Sequence, residues 1–196
     1  MNVSVLIPSR ARPEGLRRAI ESVFATAAEP ENVEALVRLD EDDPTNPVRT
    51  RLMVFGASPR VRAWVGPRLR GYASLNLLYT ELTVMASGRW CWIMNDDAFI
   101  KGQPGWDLKL KEIVDEFCLV QPDCEKYGKY EGGPFPIFPV TAVKRIFDGQ
   151  IFIGDPADTW LDQQIVKLRG GKTYYLDGTY VQHDRPSDEE LAKHRA

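Results

Sequence analysis

Three observations predict an α/β fold whose mainly parallel sheet is flanked by helices. Apolar runs of strand length alternate with helix-period patterns along the first half of the chain, the spacing that parallel strands joined by crossover helices require. Three polar clusters, Pro8-Ser9-Arg10, Asp40-Glu41-Asp42 and Asn95-Asp96-Asp97, each follow an apolar run, and such sheets bind ligands beyond the carboxyl ends of their strands. Hydrophobic residues make up 43% and charged residues 27% of the 196 positions, a balance that buries a core in one domain.

Val3 to Ile7 is a compact apolar strand, stopped by Pro8. A helix follows with Leu16, Ala19, Ile20, Val23 and Phe24 on one face, and Pro13 suits its first turn, where a missing N–H costs little. Val33 to Leu39 reads as a second strand ending at the acidic loop Asp40 to Pro44. A helix around Val48 to Gly56 precedes a strand at Val61 to Val65. Beyond the link GPRLRGYAS, Leu75, Leu78, Leu82 and Met85 form one helical stripe, with Gly88 as the C-terminal stop. Trp90 to Met94 is a buried strand.

The second half is less regular. Leu110, Ile113, Val114 and Phe117 mark an amphipathic helix, and the stretch 123–139 reads as a loop region rich in glycine, proline and aromatics. Leu161, Ile165 and Leu168 mark a further helix. Lys172 to Leu176 and Thr179 to Gln182 read as short strands on either side of a turn at Asp177-Gly178.

The formal net charge is -3 with no basic block, which excludes a general nucleic-acid binder. It leaves a single nucleotide open, because one divalent cation neutralises a diphosphate locally. Cys91, Cys118 and Cys124 are odd in number and lack metal-type pairing, as expected of thiols in a reducing compartment. The opening MNVSVLIPSR lacks the basic start and long apolar run of a signal peptide, and no apolar stretch is long enough to cross a bilayer. A cytoplasmic location is expected, with peripheral contact to a lipid-linked acceptor still open.

Asn95-Asp96-Asp97 carries the strongest chemical signal. Adjacent carboxylates at a buried strand end repel each other, and a divalent cation offsets that cost. Hard oxygen ligands suit Mg²⁺ or Mn²⁺ bridging to substrate phosphates; a solvated turn is the competing reading. Arg10 and Arg12 flank the turn after the first strand, where guanidinium forks pair with phosphate or simply stand solvated near a helix start.

The order of these motifs, VLIPSRARP, then LDEDD, then NLLYTELTVMASGRWCWIMNDD, resembles the family 2 type of GT-A glycosyltransferase over roughly residues 3 to 183. The resemblance implies a GT-A (Rossmann-like) domain over 1–196: a nucleotide-sugar-binding half at 1–100, a small irregular acceptor-binding half at 101–185 and a polar tail at 186–196. It implies an inverting transfer, dependent on Mn²⁺ or Mg²⁺, from a UDP- or GDP-sugar to an acceptor the sequence leaves unnamed. Pro8, Ser9, Arg10, Arg12, Asp40, Arg70, Gly71, Asn76 and Asp96 would line the donor site. Within that set, Pro8 and Ser9 are equally a plain turn, and Asn76 equally a local cap. Asp97 would ligate the metal, with His183 completing its protein ligands. The acidic motif departs from Asp-any-Asp in beginning with Asn95, so Asp96 and Asp97 must do its work. Glu41, Asp42 and Asp43 read mostly as loop carboxylates.

By the same resemblance, the segment from Asp158 to Ile165 matches the family's acidic helix start. Asp162 is expected to be the base that takes the acceptor proton. Asp158, four residues earlier and on the same face, serves as a second candidate or as a helix cap. Trp106, Tyr130, Phe135, Phe138 and Trp160 suggest an acceptor platform or core packing, and Gly132-Gly133-Pro134 a loop shaping the acceptor pocket. Two other readings stand beside the transferase. One is a nucleotidyltransferase acting on a sugar phosphate, for which PSRARPEG is a poor loop match. The other is a non-catalytic nucleotide-sugar-binding domain.

Overall fold

The computed structural model describes residues 2–69, 74–124, 133–147 and 156–184. An eight-stranded sheet runs through both halves of the chain in the order β3-β2-β1-β4-β7-β6-β8-β5. Its strands are β1 (Val3–Ser9), β2 (Val33–Asp40), β3 (Val61–Gly66), β4 (Trp90–Ile93), β5 (Ala98–Gly102), β6 (Cys118–Cys124), β7 (Ile137–Pro139) and β8 (Lys172–His183). Strands β1 to β4 pair in parallel. β7 runs antiparallel to both β4 and β6, and β5 antiparallel to β8, which itself is parallel to β6. Six strands therefore point their carboxyl ends at one edge of the sheet.

Helices cover both faces: α1 (Pro13–Thr26), α2 (Pro47–Ala57), α3 (Ser74–Met85), α4 (Trp106–Glu112), α5 (Val140–Phe147) and α6 (Ala157–Leu161), the last continuing as a π-helical segment at Asp162–Lys167. One apolar layer joins α1 residues Leu16, Ile20 and Val23 to β1, β2, Trp92 and Trp106. The other joins Tyr79 and Leu82 of α3 and Trp160, Leu161 and Ile165 to Leu36, Leu119 and Phe138. Central parallel strands buried on both faces read as continuous apolar runs, which is why β1, β2 and β4 were recognisable in the sequence.

Several expectations need correction. β1 does not stop at Pro8, which pairs with Arg38 of β2. The Leu6 carbonyl accepts Met94 N–H, so position 8 also faces the β4 side, where β4 has already ended at Ile93; the missing N–H costs the ladder nothing. Gly88 is not the stop of α3, which ends at Met85. A Cβ on Gly88 would lie 2.7 Å from Ser4 N, so glycine lets the chain pass close against β1. Met85 is 40% exposed, and α3 buries Asn76, Tyr79 and Thr83 with Leu78 and Leu82.

In the second half, α4 starts at Trp106 and ends before Ile113, and Val114 is exposed. Within the stretch 123–139, the end of β6 and all of β7 are strand. The two short strands around Asp177-Gly178 are one, β8. Its register on β6 jumps from Pro122↔Leu176 to Asp123↔Tyr180, so the extra residues form a bulge rather than a hairpin turn. Trp106, Phe135, Phe138 and Trp160 are buried, as the core-packing reading expects. Leu168 is exposed beyond the π segment. Arg70, Gly71, Tyr130, Gly132 and the tail at 186–196 lie outside the described residues.

Candidate active site

Three strand ends build the site. β1 ends in Ser9, and the chain turns through Arg10, Ala11 and Arg12 into α1, whose first residue is Pro13. Ala11 adopts φ +60°, a left-handed conformation that costs a non-glycine residue about 1–2 kcal/mol. It is fixed by Asp43 Oδ2, which accepts Ala11 N–H at 2.8 Å, while Asp43 Oδ1 accepts the Thr45 N–H and hydroxyl. Asp43 is buried. It is a positioning residue for the β1–α1 turn, not the solvated loop carboxylate the sequence suggested. Its detectable signal was the Asp-x-Thr pattern of an Asx turn.

At the end of β2, Asp40 lies buried beside two arginines. Arg10 Nη1 reaches its Oδ2 at 3.3 Å and also pairs with Asp42 Oδ1. Arg38 stands behind, 3.7 Å from Asp40 Oδ1, and donates to Pro67 O at 2.9 Å and to Glu81 Oε2 at 2.9 Å. Burial pushes the Asp40 carboxyl above its ordinary range, and the two guanidinium groups only partly oppose this. A Cβ on Gly66 would lie 2.7 Å from Arg38 Nη2, so glycine at the end of β3 makes room for that arginine.

After β4, the acidic turn presents its residues in different directions. Asn95 Oδ1 lies 2.6 Å from the Tyr79 hydroxyl of α3. Asp96 Oδ2 accepts the Ser9 hydroxyl at 2.8 Å and Arg10 N–H at 3.3 Å, and its Oδ1 meets Arg12 Nη1 at 3.3 Å. Asp96 is buried, and burial together with the neighbouring Asp97 charge raises its pKa to about 6 despite Arg12. Burial alone would also raise Asp97, but His183 and Arg12 outweigh it and hold this carboxyl below its ordinary value. Arg12 Nη1 is 2.8 Å from Asp97 Oδ2, and His183 Nε2 is 3.2 Å from Asp97 Oδ1.

Ser9, Arg10, Asp40 and Asp96 thus come together at the carboxyl edge, with Pro8 in β1 directly behind them. Beside Asp96, on the Arg12 side, a cleft of about 430 Å³ opens between the start of α1 and β5, lined by Arg12, Gly15, Arg18, Asp96, Asp97 and Phe99. Gly15 escaped the sequence reading. A glycine in the first turn of a helix is unfavourable, and that anomaly was the available signal.

The metal reading meets a mixed fit. Among the described residues no group of three or more histidine, cysteine, aspartate or glutamate side chains forms a cation cage. Asp97 and His183 do converge through the Oδ1–Nε2 contact, and His183 Nδ1 is buried without a hydrogen bond. A carboxylate and an imidazole suit Mn²⁺ better than Mg²⁺, which takes oxygen ligands, the remaining ligands being water and substrate phosphate. The ring of Phe135, 5.3 Å from that of His183 and edge-on, holds the imidazole in place.

The remaining candidates lie on the other face of the sheet. Asn76 is buried in the first turn of α3, within the helix and not at its cap. Pro156, not Asp158, occupies the cap of α6. Asp158 lies in the first turn, its Oδ1 accepting Thr159 N–H at 2.8 Å, and burial raises its pKa. Asp162 begins the π-helical segment, a distortion frequent at functional sites, and its N–H bonds back to Asp158 O, one turn earlier. Asp162 is 3% exposed; Lys167 Nζ meets its Oδ2 at 2.9 Å, and its Oδ1 has no partner.

The strand order and the acidic turn after β4 define a GT-A (Rossmann-like) α/β domain. No protein-family model matches the chain, and no curated protein matches it in sequence. Solved structures do match. S. aureus TarS 1–349 in complex with UDP aligns with a TM-score of 0.66 at 13% identity, over 98% of this chain and 63% of that one. The same protein in complex with UDP-GlcNAc aligns at 0.67 and 13%, over 97% and 61%. A further structure of S. aureus TarS aligns at 0.69 and 12%, over 98% and 38%. The present chain therefore spans less than two thirds of each, and what they share with it is the fold. No helix among the described residues is long and apolar enough to cross a membrane.

Proposed function

We propose that this protein is a metal-assisted, inverting glycosyltransferase that takes its sugar from a UDP-sugar. The observation that carries the reading is the assembly of Ser9, Arg10, Asp40 and Asp96 at the carboxyl edge of a GT-A sheet, next to the Asp97–His183 pair. The UDP and UDP-GlcNAc complexes of the TarS structures favour uridine over guanosine.

In this reading Asp40 and Asp96 accept hydrogen bonds from base and ribose, and Arg10 and Arg12 turn toward the diphosphate when it displaces their carboxylate partners. Arg70, Gly71 and Asn76 complete the donor side by resemblance. Asp97 and His183 would hold Mn²⁺ or Mg²⁺, whose charge neutralises the departing diphosphate. Asp162 takes the proton of the acceptor hydroxyl as its oxygen bonds to the anomeric carbon. The bond from that carbon to the UDP oxygen breaks on the opposite face, and the configuration inverts. The three free, buried cysteines suit a reducing, cytoplasmic setting.

Calorimetry of UDP and GDP binding with and without Mn²⁺, followed by product analysis, tests the proposal. Tighter UDP binding with Mn²⁺, lost in Asp97→Asn, and release of UDP during turnover support it. Pyrophosphate as the product would identify a nucleotidyltransferase instead.

A further inference from the structure

Strand β6 carries polar side chains where its neighbours carry core. Val120 and Cys124 join the apolar layer beneath α1, so the alternate positions 119, 121 and 123 face the opposite layer, where Leu119 packs with Trp160, Leu161 and Ile165. On that face follow Gln121, 2% exposed, and Asp123, 8% exposed. Both amide atoms of Gln121 and Oδ1 of Asp123 are buried without a hydrogen bond, as is Oδ1 of Asp162 on the helix packed over this strand. A buried glutamine with neither amide atom paired is destabilising, and an apolar residue of the same shape would remove that cost.

The cluster stands at the functional edge. β6 runs parallel to β8, and Cys124 pairs with Val181, two residues before His183. Across β7, Val120 and Trp92 share the partner Ile137, so the ends of β6 and β4 reach the same edge. Asp123 therefore lies near the carboxyl end of β6, on the edge where Asp96 and Asp97 follow β4. The cluster uses different strands and the opposite face from the Ser9–Arg10–Asp96 contacts.

We infer that Gln121 and Asp123 bind the hydroxyl groups of the acceptor and select a neutral, polyhydroxylated one; this rests on the glycosyltransferase reading above. The amide offers a donor and an acceptor, and the carboxylate offers acceptors, so together they match neighbouring sugar hydroxyls. Gln121 and Asp123 are specificity residues on the strand against which the segment of the proposed base Asp162 packs. Three carboxylates in this region, Asp123, Asp158 and Asp162, disfavour a phosphorylated acceptor.

The test compares wild type with Gln121→Met and Asp123→Asn. UDP release is measured with D-glucose, D-galactose, N-acetylglucosamine, glycerol and glucose 6-phosphate as acceptors. The expected result is stimulation by one or more neutral acceptors, with acceptor kcat/KM falling at least tenfold in each variant, chiefly through KM. UDP affinity stays at the wild-type value, and the Tm of Gln121→Met is equal to or above that of wild type, an outcome that a purely structural glutamine would not give. Wild-type acceptor kinetics in both variants, a preference for glucose 6-phosphate, or no stimulation by any neutral sugar overturns this inference alone. Failure of the wild type to bind UDP or to release it from any UDP-sugar overturns the glycosyltransferase reading and this inference with it.

Discussion

A Cβ placed on Gly15 would stand 2.5 Å from the carbonyl oxygen of Asp96. The first turn of α1 therefore rests directly on the backbone of the acidic turn. Ser9 and Arg12, on either side of the β1–α1 turn, bond the Asp96 side chain. Backbone and side chain of one aspartate are thus held by a single segment of seven residues, Ser9 to Gly15.

Gly15→Ala should lower stability by about 1–3 kcal/mol through overpacking against this carbonyl. Alanine is otherwise the better helix former by about 1 kcal/mol, so the sign of the change is diagnostic. Urea unfolding measures it, and UDP affinity should fall with the displaced Asp96. A variant as stable as wild type would mean that the helix shifts away at no cost.

Arg12 sits where a cation is needed, its Nη1 shared between Asp96 and Asp97. Burial opposes its charge, but the two carboxylates outweigh burial and raise its pKa. Arg12→Met should destabilise the protein by about 1–2 kcal/mol, toward the low end because the pair is partly solvated. If Asp97 and His183 hold the metal, Mn²⁺ should raise the Tm of Arg12→Met more than that of wild type. Equal Mn²⁺ shifts in thermal denaturation would argue that guanidinium and metal occupy unrelated places.

The sequence revealed the parts of this site that lie at the ends of long buried strands. β1, β2 and β4 are mostly apolar, with Ser4 in β1 and Glu34 and Arg38 in β2 as exceptions, so Ser9, Asp40 and Asp96 could be placed at one edge from their positions at or after the strand ends. Asp43 showed only its local half, the Asp-x-Thr turn, because its bond to Ala11 spans 32 positions and a carboxylate in an acidic loop looks solvated. β6 was missed because Gln121, Pro122 and Asp123 break its apolar pattern, and those polar residues are the ones whose buried atoms lack partners. The bulge in β8 was read as a turn because Asp177-Gly178 is a strong turn signal, whereas pairing with β6 on one side and β5 on the other keeps the strand continuous.

Glu34 offers a test of the scaffold apart from the site. It is buried on β2, with Ser4 Oγ, Ser87 N–H and Ser87 Oγ on Oε1 and Arg62 on Oε2. Burial would raise its pKa, but the serine hydrogen bonds and Arg62 outweigh burial and lower it from 4.5. A depressed carboxylate contributes stability that is present above its unfolded pKa and is lost as pH falls through the folded value. Glu34→Ala should cost about 3 kcal/mol near neutral pH. The difference between wild type and Glu34→Gln should shrink as pH drops below 4.5. A gap in urea-unfolding free energy that stays constant into acid would contradict the assignment.

The base assignment is the most demanding prediction. Asp162 and Asp158 are one helical turn apart, and both are carboxylates in partly or fully buried positions. Asp158 already spends Oδ1 on Thr159 N–H in the first turn of α6, the arrangement that stabilises a helix start. Asp162 keeps Oδ1 free of any partner while Lys167 holds Oδ2, which fixes the carboxylate and leaves one oxygen for a proton. Its place at the onset of the π-helical segment aligns Lys167 with it, five residues on. Asp162→Asn should retain UDP affinity and lose transfer by about 10²- to 10⁴-fold, the range for removing a general base. Asp158→Asn should retain most transfer and lose about 0.5–1 kcal/mol of stability. Lys167→Met should leave Asp162 Oδ2 without its lysine and lower transfer while UDP affinity holds. Wild-type transfer by Asp162→Asn, measured as UDP release alongside product stereochemistry, would move the role to Asp158 or to a retaining mechanism. Wild-type transfer by Lys167→Met would remove the counterion from the account while leaving Asp162 in place.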